Sequence, residues 1–313
     1  MHEHPSSSSH QSFHATSAPF LRWAGGKQRL LNQLLPLLPG GPRLIEPFVG
    51  AGSVFLGSSY ASAVLNDANP DLVAVWVALR DRPSQFIAAA SELFTESNRS
   101  VEAYRRIREE FNQSSDRFDR AVRFIYLNRF GFNGLFRVNQ RGNYNVPYGR
   151  PAVLPGFPRE RMRLASEKLS QCIVINGGFA HAMELATAGD VVYCDPPYSS
   201  SSQGSSFSGY TMEGFTTENH LALVQAARRA VGRGATVLIS NHDTPVTRDL
   251  YREWCVHSLS VRRSVSAKQS ARRSASELLA VLSDPADASQ VWDAQSSIGA
   301  RPEKRTSESD NRG

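Results

Sequence analysis

Leu44-Ile45-Glu46-Pro47-Phe48-Val49-Gly50-Ala51-Gly52-Ser53 runs from an apolar stretch into a turn with two closely spaced glycines and then into a helical pattern. A strand that enters a helix through such a turn is the opening move of an α/β sheet domain. The rest of the chain repeats it. Short apolar runs predict strands at residues 43–48, 63–66, 172–175, 190–194, 235–240, 255–260 and 277–282, with helical spacing between several of them, as at 221–231. This is the pattern of a mostly parallel sheet wrapped by helices. No helix separates the last two runs, so they are expected to pair antiparallel. Residues 71–130 differ: Phe86 and Leu93, then Tyr104, Ile107 and Phe111, then Phe118, Val122 and Ile125 recur at helical intervals, and a Gly/Asn/Arg-rich stretch follows at 131–149. A helical insertion splitting the sheet domain is the simplest reading.

The ends and the charge narrow the class. Residues 1–18 are rich in Ser and His, and residues 284–313 are polar and unpatterned, so both are expected to be disordered tails. No stretch approaches the roughly 18 apolar residues of a membrane span, and no secretory leader is evident; a cytoplasmic location is expected. Cys172, Cys194 and Cys255 are widely spaced in apolar runs, which fits reduced core residues better than a disulfide or a metal site. The net charge is +6, and residues 99–150 alone hold eleven arginines against five acids. A second cluster comprises Arg262, Arg263, Lys268, Arg272 and Arg273. Two basic zones suit a polyanion, although arginine runs also serve as plain solvated faces.

Several residues carry chemistry. Gly50 and Gly52 would let the backbone turn sharply against a nucleotide-like ligand, though a strand-to-helix turn needs such glycines anyway. The next strand ends in Asn66-Asp67, where a carboxylate can accept bonds from both ribose hydroxyls of an adenosine or can cap the following helix. Gly25-Gly26-Lys27 is too short for a phosphate-cradling loop. The most specific feature is Asp190-Val191-Val192-Tyr193-Cys194-Asp195-Pro196-Pro197-Tyr198, a buried strand delivering an acid, two prolines and an aromatic ring at its carboxyl end. A planar exocyclic amine such as that of adenine is a poor nucleophile because its lone pair is delocalised. The Asp195 carboxylate and the Pro196 carbonyl can accept both amine hydrogens, while Tyr198 stacks on the ring. An incidental Asp before a Pro-Pro turn is the alternative.

With these residues in view, the chain resembles the Dam family of DNA adenine methyltransferases over about residues 20–282. The resemblance runs through FLRWAGGK (20–27), EPFVGAGSVFL (46–56), Asn66-Asp67, YLNRFGFNGLFR (126–137), NVPYG (145–149), VVYCDPPY (191–198), LISNHDT (238–244) and VRRSVS…ELLAVL (261–282). It implies a Rossmann-like S-adenosylmethionine-dependent fold with a mixed, mostly parallel seven-stranded sheet. The methyltransferase catalytic domain would comprise residues 19–70 and 171–283, with a helical target-recognition insertion at 71–170. It further implies double-stranded DNA as partner, 5′-GATC-3′ as target, N6 of adenine as acceptor and no metal. By motif, Trp23, Lys27, Phe48, Gly50, Gly52, Asp67 and Asp195 would line the S-adenosylmethionine site, and Asp195, Pro196, Pro197 and Tyr198 would hold a flipped adenine. Arg22, Phe132, Asn133, Leu135, Arg137, Pro147 and Arg150 would face DNA, with Phe132 as a wedge, Arg137 as a guanine reader and Pro147 against a thymine methyl.

Two positions depart from the family pattern. Arg22 stands where close relatives carry lysine, and Phe132 replaces a tyrosine, keeping the ring without its hydroxyl; both bear on the tightness of recognition. Two other activities fit the strand-end motif alone: methylation of an RNA base or a protein amide, which the basic insertion disfavours, and a DNA-binding regulator with a dead site. Intact Gly50, Gly52, Asp67, Asp195 and Tyr198 speak against the second.

Overall fold

All the expected strands form, and they join one seven-stranded sheet in the order β3-β2-β1-β4-β5-β7-β6. They are β1 (Arg43–Glu46), β2 (Ser62–Asp67), β3 (Cys172–Asn176), β4 (Val191–Cys194), β5 (Thr236–His242), β6 (Cys255–Ser260) and β7 (Ser276–Leu282). This computed structural model describes residues 18–197, 215–260 and 276–284. Tyr198, the second basic cluster and the two expected tails, apart from Ala18 and Asp284, lie outside those residues. β3, β2, β1, β4 and β5 pair in parallel, whereas β7 is antiparallel to both β5 and β6, the pairing of the last two strands expected from their lack of an intervening helical pattern in the sequence. β5 continues two residues past the expected end because Asn241 and His242 find partners in Leu278 and Glu277 of β7.

The helices are α1 (Leu31–Leu34), α2 (Ser53–Gly57), α3 (Pro70–Asp81), α4 (Pro83–Glu92), α5 (Val101–Gln113), α6 (Arg117–Phe130), α7 (Arg159–Leu169), α8 (Phe179–Glu184), α9 (Thr217–Val231) and α10 (Pro245–Leu250). Among the described residues, no helix is long and apolar enough to cross a membrane. Strand alternation sorts side chains into two cores. Leu44, Ala63, Leu65, Val191, Tyr193 and Leu238 join the core on the face covered by α3 and α7, while Ile45, Val64, Val192, Cys194, Val237 and Ile239 join the one covered by α8 and α9. Both faces are thus buried, which is why these strands read as continuous apolar runs.

The helices between β2 and β3 share the first of these cores, which extends without a break from the sheet to Phe86, Tyr104, Phe111, Ile125 and Phe130. Asn69 and Pro70 start α3, the Asn69 side chain accepting from the Asp71 and Leu72 amides. Arg120 of α6 grips Asp71 with both arms of its fork, at 2.7 and 2.8 Å, and lies over the Phe111 ring. Arg99, Arg106 and Arg123 pair with Glu96, Glu110 and Asp119. Arg105, Arg108, Arg117, Arg129, Arg137, Arg141 and Arg150 make no ion pair with a described residue, so they carry the basic excess of this region.

Candidate active site

Strand order reverses between β1 and β4, and at such a point the crossover helices diverge to opposite faces and leave a crevice beyond the strand ends. The crevice here is a cavity of about 390 Å³. Glu46 at the end of β1, Asp67 at the end of β2 and Asp195 just after β4 all line it, together with Trp23, Lys27 and Pro196.

Lys27 is only 4% exposed, which for a lysine demands compensating charge. Its ammonium lies 2.9 Å from Asp195 Oδ1 and 3.4 Å from Glu277 Oε2, and it donates to the Gly25 carbonyl at 3.3 Å. The N-terminal glycine turn is therefore anchored to the end of β4 by charge. Ser240 of β5 also donates to Asp195 Oδ1, at 2.9 Å. No described residue bonds the other carboxylate oxygen, and the Asp195 side chain keeps a fifth of its surface open.

The glycine turn has a different rationale from close ligand approach alone. Gly50 and Gly52 both have positive φ, at 49° and 66°. A Cβ on Gly50 would stand 2.9 Å from the Trp23 ring, and one on Gly52 would stand 2.8 Å from the Trp76 ring. The required glycines thus serve the turn and two indoles. Gly50 lines the cavity; Gly52 faces Trp76. Asp67 accepts from the Gly50 amide at 3.1 Å and the Asn69 amide at 2.9 Å, so it braces this turn while Asn69 caps α3. Burial pushes the Asp67 carboxyl up to about 6, against the opposing pull of those amides.

Glu46 is more perturbed. It is 2% exposed, its Oε1 has no hydrogen-bond partner among the described residues, and burial, which outweighs a backbone bond from Phe55, pushes its carboxyl up to about 8. A buried carboxyl with one open oxygen on a cavity wall is protonated at neutral pH, and a cation brought beside it would favour its ionised form. Part of the lining is aromatic: Phe48 stacks on Phe179 at 5.5 Å and meets Phe215 edge-on at 5.8 Å. Glu46, Phe179, Phe215, Asn219 and Ser240 escaped the sequence reading. Glu46 had a visible signal, an acid at the very end of a buried strand, and Gly177-Gly178 before Phe179 resembles the first glycine turn; Phe215 and Ser240 had none.

Hydrogen bonds link several of the expected DNA-facing residues to their neighbours near this cavity. Isolated bridges join Gly131 to Tyr148 and Val138 to Tyr144, making an open hairpin with Phe132 48% exposed near its start. The Phe132 amide donates to the Pro147 carbonyl at 2.9 Å, and Asn133 has φ 54°. Arg137 donates from Nε to Asn145 Oδ1 at 2.7 Å, and Leu135 is partly buried. Arg22 reaches this hairpin from the other segment: its amide donates to Asn128 Oδ1 at 2.9 Å, and Asn128 Nδ2 donates to the Arg22 and Gly134 carbonyls at 2.6 and 3.2 Å. Trp23 then packs on Phe124 and Phe136, so one short segment touches both the cavity and the hairpin. Arg150 is exposed, at φ 49°.

The D12 class N6 adenine-specific DNA methyltransferase family matches residues 23–265. The chain belongs to it. Among similar proteins, the DNA adenine methylase of Escherichia coli strain K12 is 44% identical over 84% of this chain and 94% of its own length. Those of Salmonella typhi and Vibrio cholerae serotype O1 are 42% and 41% identical, covering 84% of this chain and 94% and 95% of theirs.

Proposed function

We propose that this adenine-specific DNA methyltransferase uses S-adenosylmethionine to methylate N6 of adenine within GATC in double-stranded DNA, acting on a base flipped out of the duplex. The observation that carries the reading is the Asp195 carboxylate, held through one oxygen by Lys27 and Ser240 at the switch point of the sheet. In this reading its second oxygen and the adjacent Pro196 carbonyl are the two acceptors an amine needs. Accepting both hydrogens keeps the nitrogen lone pair off the ring and available. Pro197 stiffens the strand exit, and Tyr198 stacks on the base.

The cavity suits S-adenosylmethionine on independent grounds. Its size lies in the range of small-molecule sites. The Phe48, Phe179 and Phe215 rings make a slot for a purine, Asp67 stands at the strand end where ribose hydroxyls bind, and the open Oε1 of Glu46 offers a bond to a cationic ligand that would draw the carboxyl towards ionisation. When bound, S-adenosylmethionine supplies a methyl group on a positively charged sulfur. Trp23 and Lys27 close the cavity on the side of Asp195. Residues 71–170 act as the target-recognition region. Phe132 wedges into the duplex to offset the few kcal/mol that extrusion costs, Arg137 and Arg22 read guanines, Leu135 and Pro147 contact thymine methyls, and Asn133 and Arg150 hold the backbone. Expression of the full chain in cells lacking GATC methylation tests this: genomic DNA should become resistant to a nuclease that cuts only unmethylated GATC and sensitive to one that requires the methyl group. Unchanged digestion with soluble protein present would refute the GATC assignment.

A further inference from the structure

Behind Asp195 lie two hydroxyls with no packing need to be there. Tyr193 is 3% exposed and Ser240 is fully buried, on adjacent parallel strands. Tyr193 sits opposite Leu238 and Cys194 opposite Ile239, so Asp195 and Ser240 come next in register and project to the same face as Tyr193. The Tyr193 hydroxyl donates to Ser240 Oγ at 3.1 Å. Ser240 must then turn its own proton elsewhere, and Asp195 Oδ1 at 2.9 Å is a better acceptor than the Cys194 carbonyl at 3.4 Å. Burial pushes the ionisation of Tyr193 far above its ordinary range, so its hydroxyl remains a donor. A buried Phe and Ala would fill this space without the cost of desolvating two hydroxyls.

We propose that the Tyr193–Ser240 hydroxyl pair is a positioning device that fixes the rotation of the Asp195 carboxylate, committing Oδ1 to the sheet and leaving Oδ2 for the amine that receives the methyl group. This rests on the reading of Asp195 as the amine's acceptor. Lys27 grips the same oxygen, but its ammonium also serves Glu277 and the Gly25 carbonyl and comes from a segment outside the sheet. The hydroxyl pair is the part of the grip built into β4 and β5. Because a serine hydroxyl has one proton, the tyrosine's donation decides where that proton goes, and the two residues act as one unit.

The test is steady-state and single-turnover methylation of a GATC duplex by the full chain carrying Ser240→Ala, Tyr193→Phe or both. Ser240→Ala should lower kcat by about 10–100-fold, the scale of a small misplacement of a reacting group. KM for DNA and affinity for S-adenosylmethionine should stay within about threefold, and Ser240→Thr, which keeps the hydroxyl, should restore most of kcat. Tyr193→Phe should lower kcat by a smaller factor, and the double variant should be no slower than Ser240→Ala alone. Wild-type kcat in Ser240→Ala, or losses that multiply in the double variant, would overturn the proposal. If Ser240→Ala fails to fold by thermal melting, Tyr193→Phe decides: it keeps the ring and must still lower kcat at unchanged KM. Asp195→Ala separates the two claims. An active Asp195→Ala defeats the acceptor reading itself, whereas an inactive Asp195→Ala beside a fully active Ser240→Ala defeats only the positioning role.

Discussion

Asn128→Ala removes a single buried side chain that joins the two halves of the proposed DNA-facing surface. Asn128 is 4% exposed and makes three bonds, accepting from the Arg22 amide and donating to the Arg22 and Gly134 carbonyls. Truncation leaves those three backbone groups short of partners. An unsatisfied buried group costs about 1–3 kcal/mol, and Arg22 is exposed enough for water to recover part of its share, so the expected loss is about 2–4 kcal/mol. Gly134 adds a geometric reason for coupling: its φ is 65°, and a Cβ there would stand 2.5 Å from the Arg22 Cβ, so the two backbones are already in contact. Urea unfolding followed by far-UV circular dichroism gives the stability change at constant m. Methylation of duplexes with one base pair of GATC replaced gives the functional side, and the variant should discriminate less well at both G·C pairs of the site together. Asn128→Asp should be worse than Ala in stability, since it loses both donations and buries a charge. Stability within about 0.5 kcal/mol of wild type, or discrimination relaxed at one guanine only, would refute the coupling argument.

Three further outcomes follow from the site. An unfolded glutamate titrates near 4.5, whereas folded Glu46 titrates at about 8, so the native state holds the proton across that window and loses stability from this group as pH rises through it. Glu46→Gln should therefore gain in melting temperature relative to wild type from about pH 5 to pH 8 and level off above; a difference independent of pH would contradict the assignment. Phe132→Ala should reduce the fluorescence gain of 2-aminopurine placed at the target adenine, with loss of a stack worth about 1–3 kcal/mol; an undiminished signal would remove the wedge. Arg137→Ala should cost about 1–3 kcal/mol of discrimination at one base pair, and uniform weakening across all sites would instead make Arg137 a backbone contact.

The sheet was legible because both of its faces are buried: runs such as 191–194 are apolar at every position, and the alternation of cores within them needs no surface signal. The antiparallel end followed from the lack of helical spacing in the sequence between the last two apolar runs. The middle of the chain was legible only as helices. That α3, α5 and α6 continue the core of the sheet through Phe86, Phe111 and Phe130 depends on long-range packing that periodicity does not encode. At the site, Asp195 stood out by its prolines, and Lys27 by motif alone. Ser240 and Phe215 were invisible because each matters through a neighbour distant in sequence, Asp195 in one case and Phe48 in the other. Gly52 shows the converse: its residue type was read correctly as essential, but the ring it accommodates belongs to Trp76 of α3.

The most direct measurement is mass spectrometry of oligonucleotide fragments from a duplex containing one GATC and several other adenines after incubation with the full chain and S-adenosylmethionine, run in parallel for wild type and Asp195→Ala. The account predicts N6-methyladenine at the GATC adenine alone with wild type, and none with Asp195→Ala, while that variant still binds the duplex. Equal methylation at the other adenines, or substantial turnover by Asp195→Ala, would contradict it.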